Sequence, residues 1–304
     1  MASGYSTVKL PDGATLAYEV YGSFHLGVRT PIVLICGMSA LRGDFERLTR
    51  SLAQTRPVLI YDHRGMGNSM LAGDEDITIE MLARDLLFLL QALGWKGISI
   101  CGYSMGGVVA QQLLVLPHHP IQPTPLPFQT THLFLIGTRS VVQDVGIKYQ
   151  AAPPSKPRSV AERKAVARRV IEMTFDSKWI EENGSRLNFI CDRVFSGISH
   201  RPGEVIAKQG VALQKFQFAD LLPNLPAEMK VMVIHGTSDQ VIPLRCGEDI
   251  LRRIRGAKSV QKGIQPGQVP TLEFGHYWYE YFDIKVWQDV VNVFIDDAPP
   301  SILR

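Results

Sequence analysis

The chain is poor in cysteine, has no long apolar run and carries no block of charge of one sign. Its four cysteines, Cys36, Cys101, Cys191 and Cys246, are too few in 304 residues for a disulfide scaffold and show no Cys-x-x-Cys pair for zinc. Neither a metal nor an organic cofactor is expected, and inert buried thiols in a reducing, cytoplasmic setting fit this usage. The net charge is only +3, with no Lys/Arg cluster interleaved with aromatics, so the sequence offers no nucleic-acid surface. No apolar stretch approaches the ~18 residues of a membrane span. The start, Met1-Ala2-Ser3-Gly4-Tyr5-Ser6, lacks a basic segment leading into an apolar one, so a secretory leader is not expected either. Repeats and low-complexity tracts are absent.

A hydrophobic content of 45% over this length supports one large core with an insertion. Residues 7–10 and 15–21, separated by Pro11-Asp12-Gly13, read as a strand pair. Ile32-Val33-Leu34-Ile35-Cys36 is apolar on both faces, as a strand covered on each side must be. From there strands alternate with helices: a helix over 44–52, a strand over 57–61, a helix over 79–93, and further strands over 98–101, 132–136 and 231–234. That alternation predicts a parallel sheet with right-handed crossovers. The stretch 140–223 differs, with amphipathic helical segments over 160–175, 178–195 and 204–218 and no buried-strand run, and it reads as an insertion. The boundaries are then 1–139 and 224–304 for the two parts of the core. The basic side chains of the first inserted helix read as a solvated face, and the proline-rich 117–127 as a surface loop.

Gly102-Tyr103-Ser104-Met105-Gly106 stands between the strand 98–101 and the apolar helix Val108-Val109-Ala110-Gln111-Gln112-Leu113-Leu114. A serine on so sharp a turn leaves no room for side chains two residues away, so glycines flank it and its hydroxyl stands clear of the sheet. A serine hydroxyl needs a base, and the base needs a carboxylate to fix its tautomer. Among eight histidines His276 is favoured, because it follows Leu272-Glu273-Phe274-Gly275, taken as the last strand, and precedes an aromatic helix over 277–282. His235 is its closest rival. Asp239 lies in the loop after the strand 231–234, at the sheet edge where sites form, and is favoured over Asp144 as the carboxylate. An oxyanion needs two amides: Met105 at the start of a helix supplies one, and Met38 in the turn Gly37-Met38-Ser39 the other.

The order Ser104, Asp239, His276, together with Gly102-Tyr103-Ser104-Met105-Gly106-Gly107, the turn Gly37-Met38, the run Asp62-His63-Arg64-Gly65-Met66-Gly67-Asn68-Ser69 and the ending Gly275-His276, resembles the α/β-hydrolase family, in its serine esterase and lactonase branch. The resemblance implies a mostly parallel sheet of about eight strands flanked by helices, with the insertion as a helical cap over the serine. It also implies that Asp62 and Arg64 are scaffold residues that pair and hold the site loops. Cys36 departs from the family, many of whose members carry His there, and 258–270 is longer than usual before the final strand.

The implied chemistry is two-step acyl transfer to water without cofactor, on a small to medium, apolar ester or lactone. Ile171, Phe175, Trp179, Ile180, Phe189, Val194 and Phe195 are the cap side chains expected to face it. Serine at 104 argues against epoxide or haloalkane chemistry. Carbon-carbon bond hydrolysis of diketones and acyl-CoA thioester hydrolysis use the same triad and stay open, as does a ligand-binding protein with slow turnover.

Overall fold

The computed structural model describes residues 4–143 and 158–296, so Asp144 lies outside the described residues. Strands β1 (Ser6–Lys9), β2 (Thr15–Tyr21) and β3 (Ile32–Ile35) lead into helix α1 (Glu46–Leu52). Then come β4 (Val58–Tyr61), α2 (Ile79–Leu93), β5 (Gly97–Tyr103), α3 (Met105–Val115) and β6 (Gln129–Ile136). Helices α4 (Val160–Glu172), α5 (Ser177–Glu182), α6 (Gly184–Ser196) and α7 (Gly203–Ala212) separate β6 from β7 (Lys230–Ile234), which is followed by α8 (Leu244–Arg253), β8 (Lys258–Ser259) and α9 (Ile284–Asp296). The eight strands form one sheet in the order β1-β2-β4-β3-β5-β6-β7-β8. Pairings β1–β2 and β2–β4 are antiparallel and the others parallel.

The period of two along each central strand decides which layer a side chain joins. Val33, Ile35, Leu59, Ile98, Ile100, Leu133, Leu135, Val231 and Val233 enter one core, shared with α2 and α3. Ile32, Leu34, Val58, Ile60, Cys101, Phe134, Ile136, Met232 and Ile234 enter the other, shared with α1 and α9. Helix α2 keeps the span read from its spacing because its ends are specified: the Thr78 hydroxyl accepts the Met81 N–H, and Gly94 closes the other end at φ 68°. The sheet reverses its winding at β3, which has β4 on one side and β5 on the other. Loops leaving β3 and β5 therefore diverge and open a crevice at their carboxyl ends.

Two sequence expectations change here. The last strand is β8, not 272–275; the latter segment instead bonds to the loop after β7, with Thr237 and Ser238 N–H groups donating to the Leu272 and Phe274 carbonyls. Its apolar character comes from packing, since Phe274 is buried with Trp278 and Trp287. The aromatic helix after His276 is a single 3-10 turn, Trp278–Glu280.

Within the inserted region, the helix expected over 178–195 breaks at Asn183, which caps both α5 and α6 and donates its side-chain amide to the Trp179 carbonyl. Helices α4 to α6 build their own small core from Ile171, Phe175, Trp179, Leu187, Ile190 and Cys191, with Phe175 and Trp179 stacked at 3.8 Å between ring centroids. Ile180, Val194 and Phe195 pack against it, whereas Phe189 is 52% exposed, beneath the Arg186 guanidinium. Helix α7 behaves differently: Val205 and Ala212 join the core of the sheet.

Candidate active site

Ser104 follows β5 directly and opens α3 in a left-handed backbone conformation, φ 55° and ψ −122°. Such a conformation is costly for a residue with a Cβ and persists only where its surroundings impose it. Here they lie at the end of β6: the Ser104 N–H donates to the Ile136 carbonyl, and its carbonyl accepts from the Thr138 hydroxyl at 2.7 Å. The flanking glycines permit the close approach. A Cβ at Gly106 would lie 2.1 Å from the Ile35 carbonyl oxygen, and one at Gly102 would lie 2.6 Å from that of Gly106.

His276 Nε2 lies 3.0 Å from Ser104 Oγ, and Nδ1 lies 2.8 Å from Asp239 Oδ2. The other carboxylate oxygen, Oδ1, accepts the Val241 and Ile242 N–H groups at 3.0 and 2.8 Å, so the carboxylate presents one fixed oxygen to the imidazole. With Nδ1–H donating to Asp239, the Nε2 lone pair faces the serine hydroxyl. Asp239 and His276 are both buried, and Ser104 is partly exposed.

His235, the rival base, makes its hydrogen bond elsewhere, and the imidazole on the serine is that of His276. Its Nε2 donates to the Ile242 carbonyl at 2.7 Å, its ring packs on Gly247 of α8, and burial lowers its pKa, so it serves as a neutral prop behind Asp239. Its Nε2 is 3.7 Å from Asp239 Oδ2.

The turn after β3 closes with the Ala40 N–H on the Gly37 carbonyl, which leaves the Met38 N–H outside the turn's own bond. A Cβ at Gly37 would stand 3.2 Å from that of Ser104, so glycine lets this turn lie against the serine without crowding. Met105 is the first residue of α3, where N–H groups lack intrahelical acceptors. Cys36, just before the turn, is a buried free thiol whose pKa burial pushes well up, and Cys101 is pushed to about 12 by the same cause.

Asp62 and Arg64 do not pair as expected. Asp62 accepts from the Arg42 side chain and from the Arg42 and Asn68 N–H groups, while Arg64 forks onto Asp85 and reaches Asp12 and Glu75. Two charged clusters, not one, brace the loop after β4.

Sequence reasoning missed Gly137 and Thr138. Gly137, at φ 49°, lies against both His276 and Asp239, with room for no Cβ beyond 3.2 Å from either side chain. The signal was present as a glycine directly after a buried apolar strand. It also missed the cap's attachments to the site: the Thr174 carbonyl accepts the Tyr277 N–H, and the Tyr281 hydroxyl both donates to Asp176 and accepts its N–H. Glu280 is held between Arg47 of α1 and Arg186 of α6, and Arg193 of α6 reaches Glu46.

The strand order and the elbow are those of the α/β-hydrolase fold, and the family model for the alpha/beta hydrolase fold matches residues 30–122. The chain is an α/β-hydrolase-fold protein. The α/β-hydrolase fold extends along nearly the whole chain in solved structures of similar shape. One is an enol-lactonase from Burkholderia xenovorans LB400, with TM-score 0.71, 21% identity and coverage of 96% of this chain and 100% of that one. Another is the esterase RhEst1 from Rhodococcus sp. ECU1013, with TM-score 0.73, 20% identity, 97% of this chain and 99% of that one. By sequence the chain is similar to RutD of Caulobacter vibrioides, named provisionally as a carbamate hydrolase, at 22% identity over 96% of this chain and 98% of that protein. Its similarity to RutD of Azorhizobium caulinodans, 33% identity, is confined to 103 residues, 36% of that protein. Among the described residues no helix is long and apolar enough to cross a membrane, and no cluster of His, Cys, Asp or Glu has the arrangement of a metal site.

Proposed function

We propose that this α/β-hydrolase-fold chain is a serine hydrolase that cleaves a small to medium carboxylic ester or lactone through an acyl-enzyme. The observation that carries this reading is the unbroken line of hydrogen bonds from Asp239 through His276 to Ser104. Ser104 Oγ attacks the carbonyl carbon while His276 Nε2 takes its proton. Asp239 holds the Nδ1–H tautomer and stabilises the imidazolium that forms. The Met38 and Met105 amides face the developing oxyanion. Collapse breaks the bond to the alkoxide, which takes the proton from His276. Water, deprotonated by the same Nε2, repeats the sequence on the acyl group and releases the acid.

The esterase and enol-lactonase of similar fold support this substrate class. The name of the RutD relatives adds carbamates, which present the same attacked carbonyl.

The test is a fluorophosphonate probe with peptide mapping, run on the protein and on His276→Ala. Labelling of Ser104 that disappears in the variant is expected. Absence of labelling in the unaltered protein sinks the reading and turns the search toward ligands. A panel of p-nitrophenyl esters, lactones, carbamates and vinylogous diketones then separates the substrate classes.

A further inference from the structure

Besides Ser104, Ser39 is the other described non-glycine residue with positive φ, at 63°. It is the third residue of the turn closed by Ala40 on Gly37, the position of a β-turn where positive φ normally calls for Gly or Asn. Nothing in the turn's own sequence imposes this conformation. What surrounds it comes from far along the chain. The Ser39 N–H donates to Gln209 Oε1 of α7 at 3.0 Å, across 170 residues. The Ser39 carbonyl accepts from Arg201, whose guanidinium is in turn held by both oxygens of Asp44 at 2.6 and 2.9 Å. Gly210 of α7 approaches the Met38 sulfur, with 4.0 Å between it and a Cβ built at position 210. Both backbone polar groups of one residue, Ser39, are therefore gripped from the cap side, immediately after the residue that offers an oxyanion amide.

Gln209 is fully buried, and its Nε2 finds no partner in the structure; Arg201 is nearly so, with Nε likewise unpartnered. Leaving such a donor unmet forfeits its hydration with nothing in return. An apolar side chain on α7 would avoid that cost, so the amide is poorly explained as a contribution to stability. Its bond to Ser39 explains it.

Resting on the hydrolase reading above, we infer that Gln209, with Arg201, is a positioning residue: from the cap it clamps Ser39 in its left-handed conformation and so holds the Met38 amide toward the oxyanion. The clamp acts through the turn and touches no reacting atom. Without it, serine at 39 relaxes toward negative φ and the turn closed by Ala40 on Gly37 loses its shape. The Gly37–Met38 peptide that carries the Met38 N–H swings with it, and the oxyanion keeps only the Met105 donor.

The experiment compares the full-length protein, Gln209→Met, Ser39→Gly and the double variant, with kcat and KM for p-nitrophenyl butyrate, melting temperature and fluorophosphonate labelling of Ser104. Methionine keeps the length and burial of glutamine and removes the acceptor. Losing one oxyanion donor outright costs ~10²–10³ in kcat; Gln209→Met is expected to lose on the order of 10- to 100-fold by the same principle, with KM within about twofold and Ser104 still labelled. Glycine adopts positive φ unaided, so the double variant is expected to regain most of the lost kcat. Ser39→Gly alone, with the clamp intact, is expected to keep kcat within about twofold. A Gln209→Met variant as active as the parent overturns the inference, as does a loss that Ser39→Gly does not restore, which would place the amide on the substrate instead. A tenfold loss in Ser39→Gly alone overturns it without disturbing the cap. Failure of the unaltered protein to label or hydrolyse sinks the hydrolase reading and this one with it; labelling with an insensitive position 209 sinks only this one.

Discussion

Two serines, Ser39 and Ser104, stand in backbone of positive φ, and the molecule holds them by different means. Ser104 is wedged by what adjoins it at the sheet edge: the Ile136 carbonyl of β6 takes its N–H, the Thr138 hydroxyl bonds its carbonyl, and glycines at 102 and 106 let α3 press onto β5 and β3. Ser39 is gripped by side chains reaching from a different part of the fold, an amide on α7 and an arginine just before it. The elbow is thus an outcome of the sheet's own packing, whereas the turn at 37–40 depends on side chains from the inserted region. Rigidity in the first case is steric and in the second case is conditional.

Removing the hydroxyl of the wedged serine gives the largest effect. Ser104→Ala is expected to lower ester turnover on the order of 10⁶-fold, with the melting temperature unchanged, because alanine suffers the same backbone conformation. Steady-state rates and thermal melts check both halves; retained turnover removes the elbow from the chemistry. Asp239→Asn is expected to cost on the order of 10⁴ in kcat, since an amide stabilises the wrong imidazole tautomer. Full activity in that variant would point to Asp144.

Gly106→Ala separates wedge from grip most directly. With a Cβ 2.1 Å from the Ile35 oxygen, α3 must move off the sheet. A loss of about 3 kcal/mol or more is expected in denaturant melts, in the range of overpacked core sites. Position 39 tolerates substitution without comparable loss if the grip is conditional, so equal destabilisation at 39 and 106 would erase the distinction.

The smallest effect is a pH slope. His63 bonds through Nε2 to the Cys36 carbonyl just before the turn at 37–40, and burial lowers its pKa to about 4. The unfolded chain, with its histidine near 6.5, takes up the proton first, so this contribution to stability is present above 6.5 and is lost as pH falls toward 4. By linkage the whole window is worth up to about 3 kcal/mol. His63→Gln is expected to flatten the fall in melting temperature between pH 7 and 5; an unchanged slope places the acid sensitivity elsewhere, with His132 next, as it is also lowered to about 4.

What the sequence made legible follows the same division. The elbow could be read because its requirements are local: glycines at fixed offsets between an apolar strand and an apolar helix. Helix α2 could be read to the residue because its cap and its closing glycine adjoin its apolar face. Asp239 and His276 could be placed because each follows a buried segment that ends at the same sheet edge. The last strand was misplaced because Leu272 and Phe274 look like strand residues yet are buried against Trp278 and Trp287 and bonded to a loop. Phe189 was misjudged because helical spacing assigns a face, and an aromatic on the outer face finds Arg186 for company. Gln209 and Ser39 gave no signal, since a glutamine in an amphipathic helix carries no mark of a partner 170 residues away.

The attachments between α4–α7 and the rest of the chain bear on protein engineering. Exchange of this segment for that of a related enzyme is an obvious route to new specificity, since α4 to α6 bring their own small core. Such a chimaera would keep Ser104, His276 and Asp239 and still inherit a loosened turn at 38–39, unless Arg201 and Gln209 travelled with the graft or position 39 were rewritten to match.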